Sequence, residues 1–237
     1  MNQASLPLRV VFTLIAALVM QTAQAELTVG KDYVLLNPAQ PVETGDKVEV
    51  LEVFSYMCPH CYQFEPKLSA WTKALPGDVA VRKLPVTFSR EAWANVSRIY
   101  YALEAMGELG RLHVRVFDAI HAENLQMGNP DVAADWAAKN GLDRKKFTDT
   151  MNSFGVQSKV ARLPMLTRNY AIESVPTMIV DGKYKIVSAT SFDDLLRIAS
   201  DLVQLARSQR PAKAAAATST QTAVKPTAEA AKKASAK

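Results

Sequence analysis

The chain has 237 residues, a formal net charge of +5 and 22% charged side chains, a length that suits one domain or one domain carrying an insertion. The positive excess is local: residues 208–237 hold six basic side chains against one acidic, whereas residues 26–207 hold 21 basic and 22 acidic. No folded face need be basic, so composition gives no support to a nucleic-acid partner.

In chain order, Arg9 is followed by an apolar run from Val10 to Met20 and a polar stretch ending in Ala23-Gln24-Ala25. A basic start, a short apolar segment and a small-x-small site predict a cleavable secretory signal over 1–25. The run is too short to cross a hydrocarbon core of about 30 Å. The mature protein is therefore expected to be soluble and outside the reducing cytosol.

"KVEVLEVFS" (Lys47 to Ser55) reads as a buried strand. Cys61, Phe64, Leu68, Trp71 and Leu75 then recur at helical spacing, and Pro76-Gly77 ends the helix. "VAVRKLPVTF" (Val79 to Phe88) reads as the next strand, with Pro85 at an edge or an end. From Ser89 to about Ala171 the periodicity is helical. Ser89 is expected to cap a helix carrying Trp93, Val96, Tyr100, Leu103 and Met106; Leu109 to Ile120 form the next; Asn129-Pro130 opens a third and Asp143 a fourth. A last helix passes Val160 toward Tyr170, with a bend expected at Pro164. "PTMIVDGKYKIVSA" is a hairpin signal around Asp181-Gly182, and Ser191 with Asp194 opens a final helix through Leu195, Ile198, Leu202 and Leu205. Strand–helix–strand, helical block, hairpin and helix predict an α/β fold interrupted by an all-helical insertion: 26–88 and 172–207 as one unit, 89–171 as the insertion. Residues 208–237, rich in Ala, Lys and Thr and without an aromatic, read as a disordered tail.

Both cysteines lie in Cys58-Pro59-His60-Cys61, where a strand gives way to a helix. Three chemistries use such a pair. A structural disulfide closing so short a loop contributes only about 2 kcal/mol. A structural zinc needs four ligands, and no second cysteine pair accompanies His60, His113 and His121; His113 has the spacing of an ordinary surface or half-buried residue. A copper(I) carrier suits soft thiolate ligands but needs further oxygen or sulfur donors that the sequence does not identify. A redox dithiol suits the position: Cys58 at a helix N-terminus meets unpaired N–H groups and the positive end of the macrodipole. Pro59 fits the first helical position. The dipole contributes at most about 2 kcal/mol, or about 1.5 pKa units, so direct hydrogen bonds or His60 must supply any larger stabilisation of the thiolate. A stabilised thiolate favours the reduced protein and makes its disulfide the stronger oxidant.

"VLEVFSYMCPHCYQFEP" together with "SVPTMIVDGKY" resembles the DsbA family, periplasmic thiol–disulfide oxidoreductases with a thioredoxin-like fold and a helical insertion. The likeness runs from about Lys31 to Ala206. It implies that Cys58 is the exposed thiol forming a mixed disulfide with substrate and Cys61 its buried partner, with His60 stabilising the Cys58 thiolate. It also implies a cis Pro176 facing the pair, with Val175 offering its backbone to an extended substrate. Glu52 matches the family's buried acid and Lys83, less directly, its basic partner. An acid between Leu51 and Val53 is costly unless useful, although alternation leaves an outward-facing side chain open. The resemblance further implies oxidation of exported proteins carrying free thiols, reoxidation by a quinone-linked inner-membrane DsbB-type partner, and no metal or organic cofactor. Nothing demands more than a monomer. Met57 stands where the family commonly has an aromatic, and the Ala/Lys tail is an addition. A disulfide isomerase or reductase and a copper(I) carrier are the rival readings.

Overall fold

Valine and aromatic residues crowd the segments that form the sheet, and Gly or Pro separates them from the helices. The computed structural model describes residues 27–210; the expected signal segment and most of the expected tail lie outside them. The elements are β1 (Tyr33–Leu35), β2 (Val48–Phe54), α1 (Pro59–Ala74), β3 (Val79–Pro85), α2 (Glu91–Ala105), α3 (Leu109–His121), α4 (Pro130–Lys139), α5 (Arg144–Met151), α6 (Phe154–Asn169), β4 (Thr177–Val180), β5 (Tyr184–Ile186) and α7 (Phe192–Gln209).

The five strands form one sheet in the order β1-β5-β4-β2-β3, with β2 parallel to β3 and antiparallel to β4. Every residue of β2 is buried, as befits a central strand covered on both faces. Alternation along it feeds two cores. Val48 and Val50 join Met178, Val180, Phe64, Leu68 and the apolar stripe of α7. Leu51 and Val53 join Ile179 and the helices between β3 and β4. Together these make the mixed α/β thioredoxin-like architecture that the resemblance implies.

Several local expectations needed correction. β1 was not anticipated; three residues are too short to show a period, and pairing with β5 creates the strand. β3 stops at Pro85 rather than Phe88. It is an edge strand, where the missing N–H of proline is tolerated. Ser89 does not cap α2: its φ is +57°, and the N-cap is Arg90, which makes no side-chain cap bond. Asn129, Asp143 and Ser191 do cap their helices, but Asp194 reaches back to Thr190 N at 2.9 Å rather than to Ser191. α6 runs past Val160 to Asn169 as expected, with Pro164 inside it. α7 continues to Gln209, and Arg210 pairs with Asp181, so the first residues assigned to the tail are ordered by the sheet's lower end.

The hairpin turn lies where expected. Asp181 and Gly182 both have positive φ, +54° and +63°, the Lys183 N–H closes the turn on the Val180 carbonyl at 3.1 Å, and three residues separate the paired Val180 and Tyr184. A Cβ on Gly182 would lie 2.0 Å from the Gln40 carbonyl oxygen, so only glycine fits.

Candidate active site

β2 delivers the chain to Ser55, and a tight turn (Cys58 N–H to Ser55 O, 3.0 Å) sets Cys58 as the N-cap of α1. Pro59 takes the first helical position, where its absent N–H costs nothing. The Cys61 N–H donates to Cys58 Sγ at 3.4 Å. Both cysteines are free thiols.

Cys58 is less open than an exposed nucleophile: 8% of its surface remains accessible, against none for Cys61. Val175 lies against it, its carbonyl oxygen 3.5 Å from Cys58 Sγ. The Val175–Pro176 peptide bond is cis. Beyond it opens a cleft of about 630 Å³ lined by His60, Val175, Pro176, Thr177, Phe192 and Leu195, among others. His60 and Pro59 are exposed.

The two thiols differ sharply in acidity. A hydrogen bond from the Cys61 thiol does most to hold the Cys58 thiol at about 6; burial opposes it, while the N–H groups of Cys61 and His60, and then the charge of His60, assist. The imidazole is therefore an auxiliary to the hydrogen bonds. Burial, with the neighbouring Cys58 sulfur, pushes Cys61 far up. One sulfur is an anion near neutrality and the other holds its proton, the asymmetry that directed thiol–disulfide exchange needs.

Beneath the pair, Glu52 faces inward and is fully buried. Parallel register sets Lys83 directly beside it, and Lys83 Nζ donates to Glu52 Oε2 and, at 2.7 Å, to Glu65 Oε2. Burial raises the Glu52 carboxyl. Glu65 is lowered: burial works against it, but a hydrogen bond from His113 and the charge of Lys83 prevail.

Sequence reasoning missed Glu65, and it misjudged His113, which is buried. Its Nε2 lies 3.3 Å from Glu65 Oε2 and its Nδ1 2.7 Å from the Tyr56 hydroxyl. His121, two turns on, donates through Nε2 to the Tyr56 carbonyl at 2.8 Å. Tyr62 donates to Asp118 at 3.0 Å. One face of α3 thus grips the active-site segment on both sides of Cys58. A signal existed: His113, Phe117 and His121 recur at i, i+4 and i+8, one helical stripe, and Cys61, Glu65 and Leu68 share a face of α1.

Among the described residues, no three His, Cys, Asp or Glu side chains group to hold a metal ion, and no helix is long and apolar enough to cross a membrane.

A thiol pair at a helix N-terminus, opposed by a cis-proline loop and built on a buried acid, can be compared with known proteins. The "DSBA-like thioredoxin domain" matches residues 49–199. The chain belongs to the DsbA-like family. It is 39% identical over 195 residues to the thiol:disulfide interchange protein DsbA of Pseudomonas aeruginosa, covering 81% of this chain and 92% of that one. It is 40% identical over 172 residues to DsbA of Burkholderia cepacia, covering 72% and 81%. The crystal structure of P. aeruginosa DsbA superposes with a TM-score of 0.73 at 38% identity, covering 77% of this chain and 95% of that one. The oxidoreductase DsbA of Xylella fastidiosa gives 0.72 at 32%, covering 77% and 98%. The chain is accordingly a DsbA-type thiol–disulfide oxidoreductase, and the thioredoxin-like fold expected from its motifs is that of its relatives.

Proposed function

We propose that this protein is a dithiol oxidase that donates a Cys58–Cys61 disulfide to exported proteins in the periplasm, after removal of residues 1–25. A substrate thiolate attacks Cys58 Sγ, breaking the Cys58–Cys61 bond and releasing Cys61, which takes up a proton. A second substrate thiolate then attacks the substrate sulfur of the mixed disulfide. The substrate disulfide forms and Cys58 leaves as a thiolate, the leaving group favoured by its low pKa. Pro59 and the start of α1 hold Cys58 in its cap position, and His60 adds to the field at its sulfur. Val175 and Pro176 border the cleft that takes the extended substrate, and Glu52 with Lys83 manage the charge beneath Cys61. Reoxidation falls to a quinone-linked membrane partner of the DsbB type. The reaction runs on the protein's own disulfide and requires neither metal nor organic cofactor; a monomer suffices. In domain terms, residues 89–171 act as a helical insertion whose α3 braces the site, and the Ala/Lys-rich residues 208–237 are an extension of the domain.

The observation that carries this reading is the split between the two thiols, Cys58 held at about 6 and Cys61 pushed far up by burial. A reductase works with a nucleophile less disposed to leave, so redox equilibration with glutathione separates it from an oxidase, while an isomerase shares the same exchange chemistry and is separated by its reshuffling of a scrambled-disulfide substrate. An equilibrium lying toward reduced protein supports the oxidase; one lying toward the disulfide refutes it. Copper(I) binding without oxidation of a reduced, cysteine-containing protein would favour the carrier instead.

A further inference from the structure

A second recess adjoins the reactive turn. Cys58 lies between His60, which borders the cleft beside Pro176, and Met57, which borders a pocket of about 510 Å³ against the helical insertion. The two share no lining residue. Met57, Ile120 and Leu125, all half-buried, supply apolar wall to the second pocket, and the start of α2 and the link between α3 and α4 complete it. That link is held in place. Asn95 Nδ2 donates to the Gly128 carbonyl at 2.8 Å, and a Cβ on Gly128 would lie 3.1 Å from Ala92 Cβ, so backbone packs closely on α2. Glu91 is the only ionisable side chain among the lining residues. It is exposed, in the first turn of α2, and no ion pair among the described residues engages it. Its neighbour Arg90 sits over the Trp93 ring at 5.1 Å. A recess with apolar walls and one exposed carboxylate matches a side chain with a long apolar stem and a cationic head.

We propose that this pocket is a substrate subsite for a lysine or arginine next to the cysteine being oxidised, with Glu91 receiving the cation and Met57 the stem. The inference rests on the oxidase reading above and names the substrate class it favours, cysteine segments with a neighbouring basic residue. Once the substrate sulfur bonds to Cys58 Sγ, its flanking side chains are tethered beside Met57, the residue directly before Cys58, so a weak contact there acts on a chain already held in place. Methionine is unbranched and adapts to a lysine or an arginine stem alike. An acidic side chain at the same position would face Glu91 and be disfavoured. The pair is open to solvent, so it sets a preference of a few-fold and not an absolute requirement. That suits a protein serving many substrates: the bond to Cys58 is common to all, and the pocket ranks them.

The test measures the rates at which single-cysteine peptides form a mixed disulfide with the oxidised protein, each divided by the peptide's thiolate fraction. Lysine, norleucine, glutamate or glycine stands directly before or directly after the cysteine; norleucine keeps the lysine stem without its ammonium. Wild type should favour lysine over norleucine at one of the two positions by about three- to fivefold, the scale of an exposed ion pair, and added salt should shrink the preference. Glu91→Gln should bring that ratio to about one, and Glu91→Lys should turn the preference toward glutamate. Met57→Ala should lower the norleucine-to-glycine ratio while keeping the lysine-to-norleucine ratio; an unchanged norleucine-to-glycine ratio overturns the part given to Met57. A lysine-to-norleucine ratio near one at both positions, or one that survives Glu91→Gln, overturns the proposal. A protein that reacts with no peptide refutes the oxidase reading, and the pocket is then judged by NMR titration with the serine analogues of the peptides. The lysine peptide should shift the Glu91 and Gly128 amide signals in wild type and shift the Gly128 signal more weakly in Glu91→Gln; equal shifts overturn the subsite.

Discussion

The ranking of influences on Cys58 invites a direct experiment, because the sequence points to His60 and the structure points to Cys61. The Cys58 thiol is held at about 6 chiefly by the hydrogen bond from the Cys61 thiol, with the N–H groups of Cys61 and His60 next among the supporting influences. A hydrogen bond to a charged acceptor contributes about 1.5–3 kcal/mol, and each pKa unit corresponds to about 1.4 kcal/mol, so Cys61→Ala should raise the Cys58 pKa by about 1–2 units. The backbone N–H groups survive that substitution, and Cys58 stays below an ordinary thiol. His60→Ala removes an exposed, solvent-screened charge and should move it by less than about one unit. The assay is the ultraviolet absorbance of the thiolate, titrated in reduced wild type, Cys61→Ala and His60→Ala. A larger shift in His60→Ala than in Cys61→Ala would refute the reasoning and return the thiolate to imidazole control.

Further outcomes follow from the same geometry. Cys58 has a folded pKa of about 6, below its ordinary 9.0, so its contribution to reduced-state stability is complete above about 9 and lost as pH falls through about 6. The gap in urea midpoint between reduced and oxidised protein should therefore shift in favour of the reduced form as pH rises, by about 1 kcal/mol at pH 7 relative to acid, after allowance for partial solvent screening; no pH dependence in that gap would contradict the thiolate assignment. Cys61→Ala should also accumulate mixed disulfides through Cys58, seen as thiol-sensitive bands on non-reducing gels, and their absence would reverse the roles of the two cysteines. Lys83→Met strands two buried carboxyls and should cost roughly 3 kcal/mol by chemical denaturation, with Glu52→Gln in the same chain recovering much of it; a loss below about 1 kcal/mol would show that the cluster is already neutral. Gly182→Ala must push against Gln40 O at 2.0 Å with φ at +63°, and should cost about 1–3 kcal/mol; an unchanged midpoint would mean that the turn relaxes freely.

Much of the site was legible because it is local in sequence. Cys58, Pro59, His60 and Cys61 are consecutive, and a strand followed by a 3.6-residue period identifies the turn that makes Cys58 an N-cap. Asp181-Gly182 announces its hairpin because a tight turn there calls for positive φ, which few residues adopt readily. The caps at Asn129, Asp143 and Ser191 were readable for the same reason: each bonds to an N–H two or three residues away. What was misread depends on partners far along the chain. Ser89 looks like a cap, yet the link leaving β3 takes it into left-handed backbone. β1 exists because β5 lies beside it. His113 looks ordinary until α3 is laid over the end of β2, 57 residues earlier in the chain.

The sequence by itself determined where the two thiols sit and their immediate frame: a thiol at a helix start, a second thiol one turn inside, and a strand leading to both. These follow from backbone geometry and side-chain periodicity, which act over a few residues. Only the tertiary structure decided how the charges are shared, that Cys61 rather than His60 is the main donor to Cys58, and that Lys83, Glu65 and His113 surround the acid below. The strength of such interactions depends on burial and on separations of a few ångströms, and the packing of distant segments sets both.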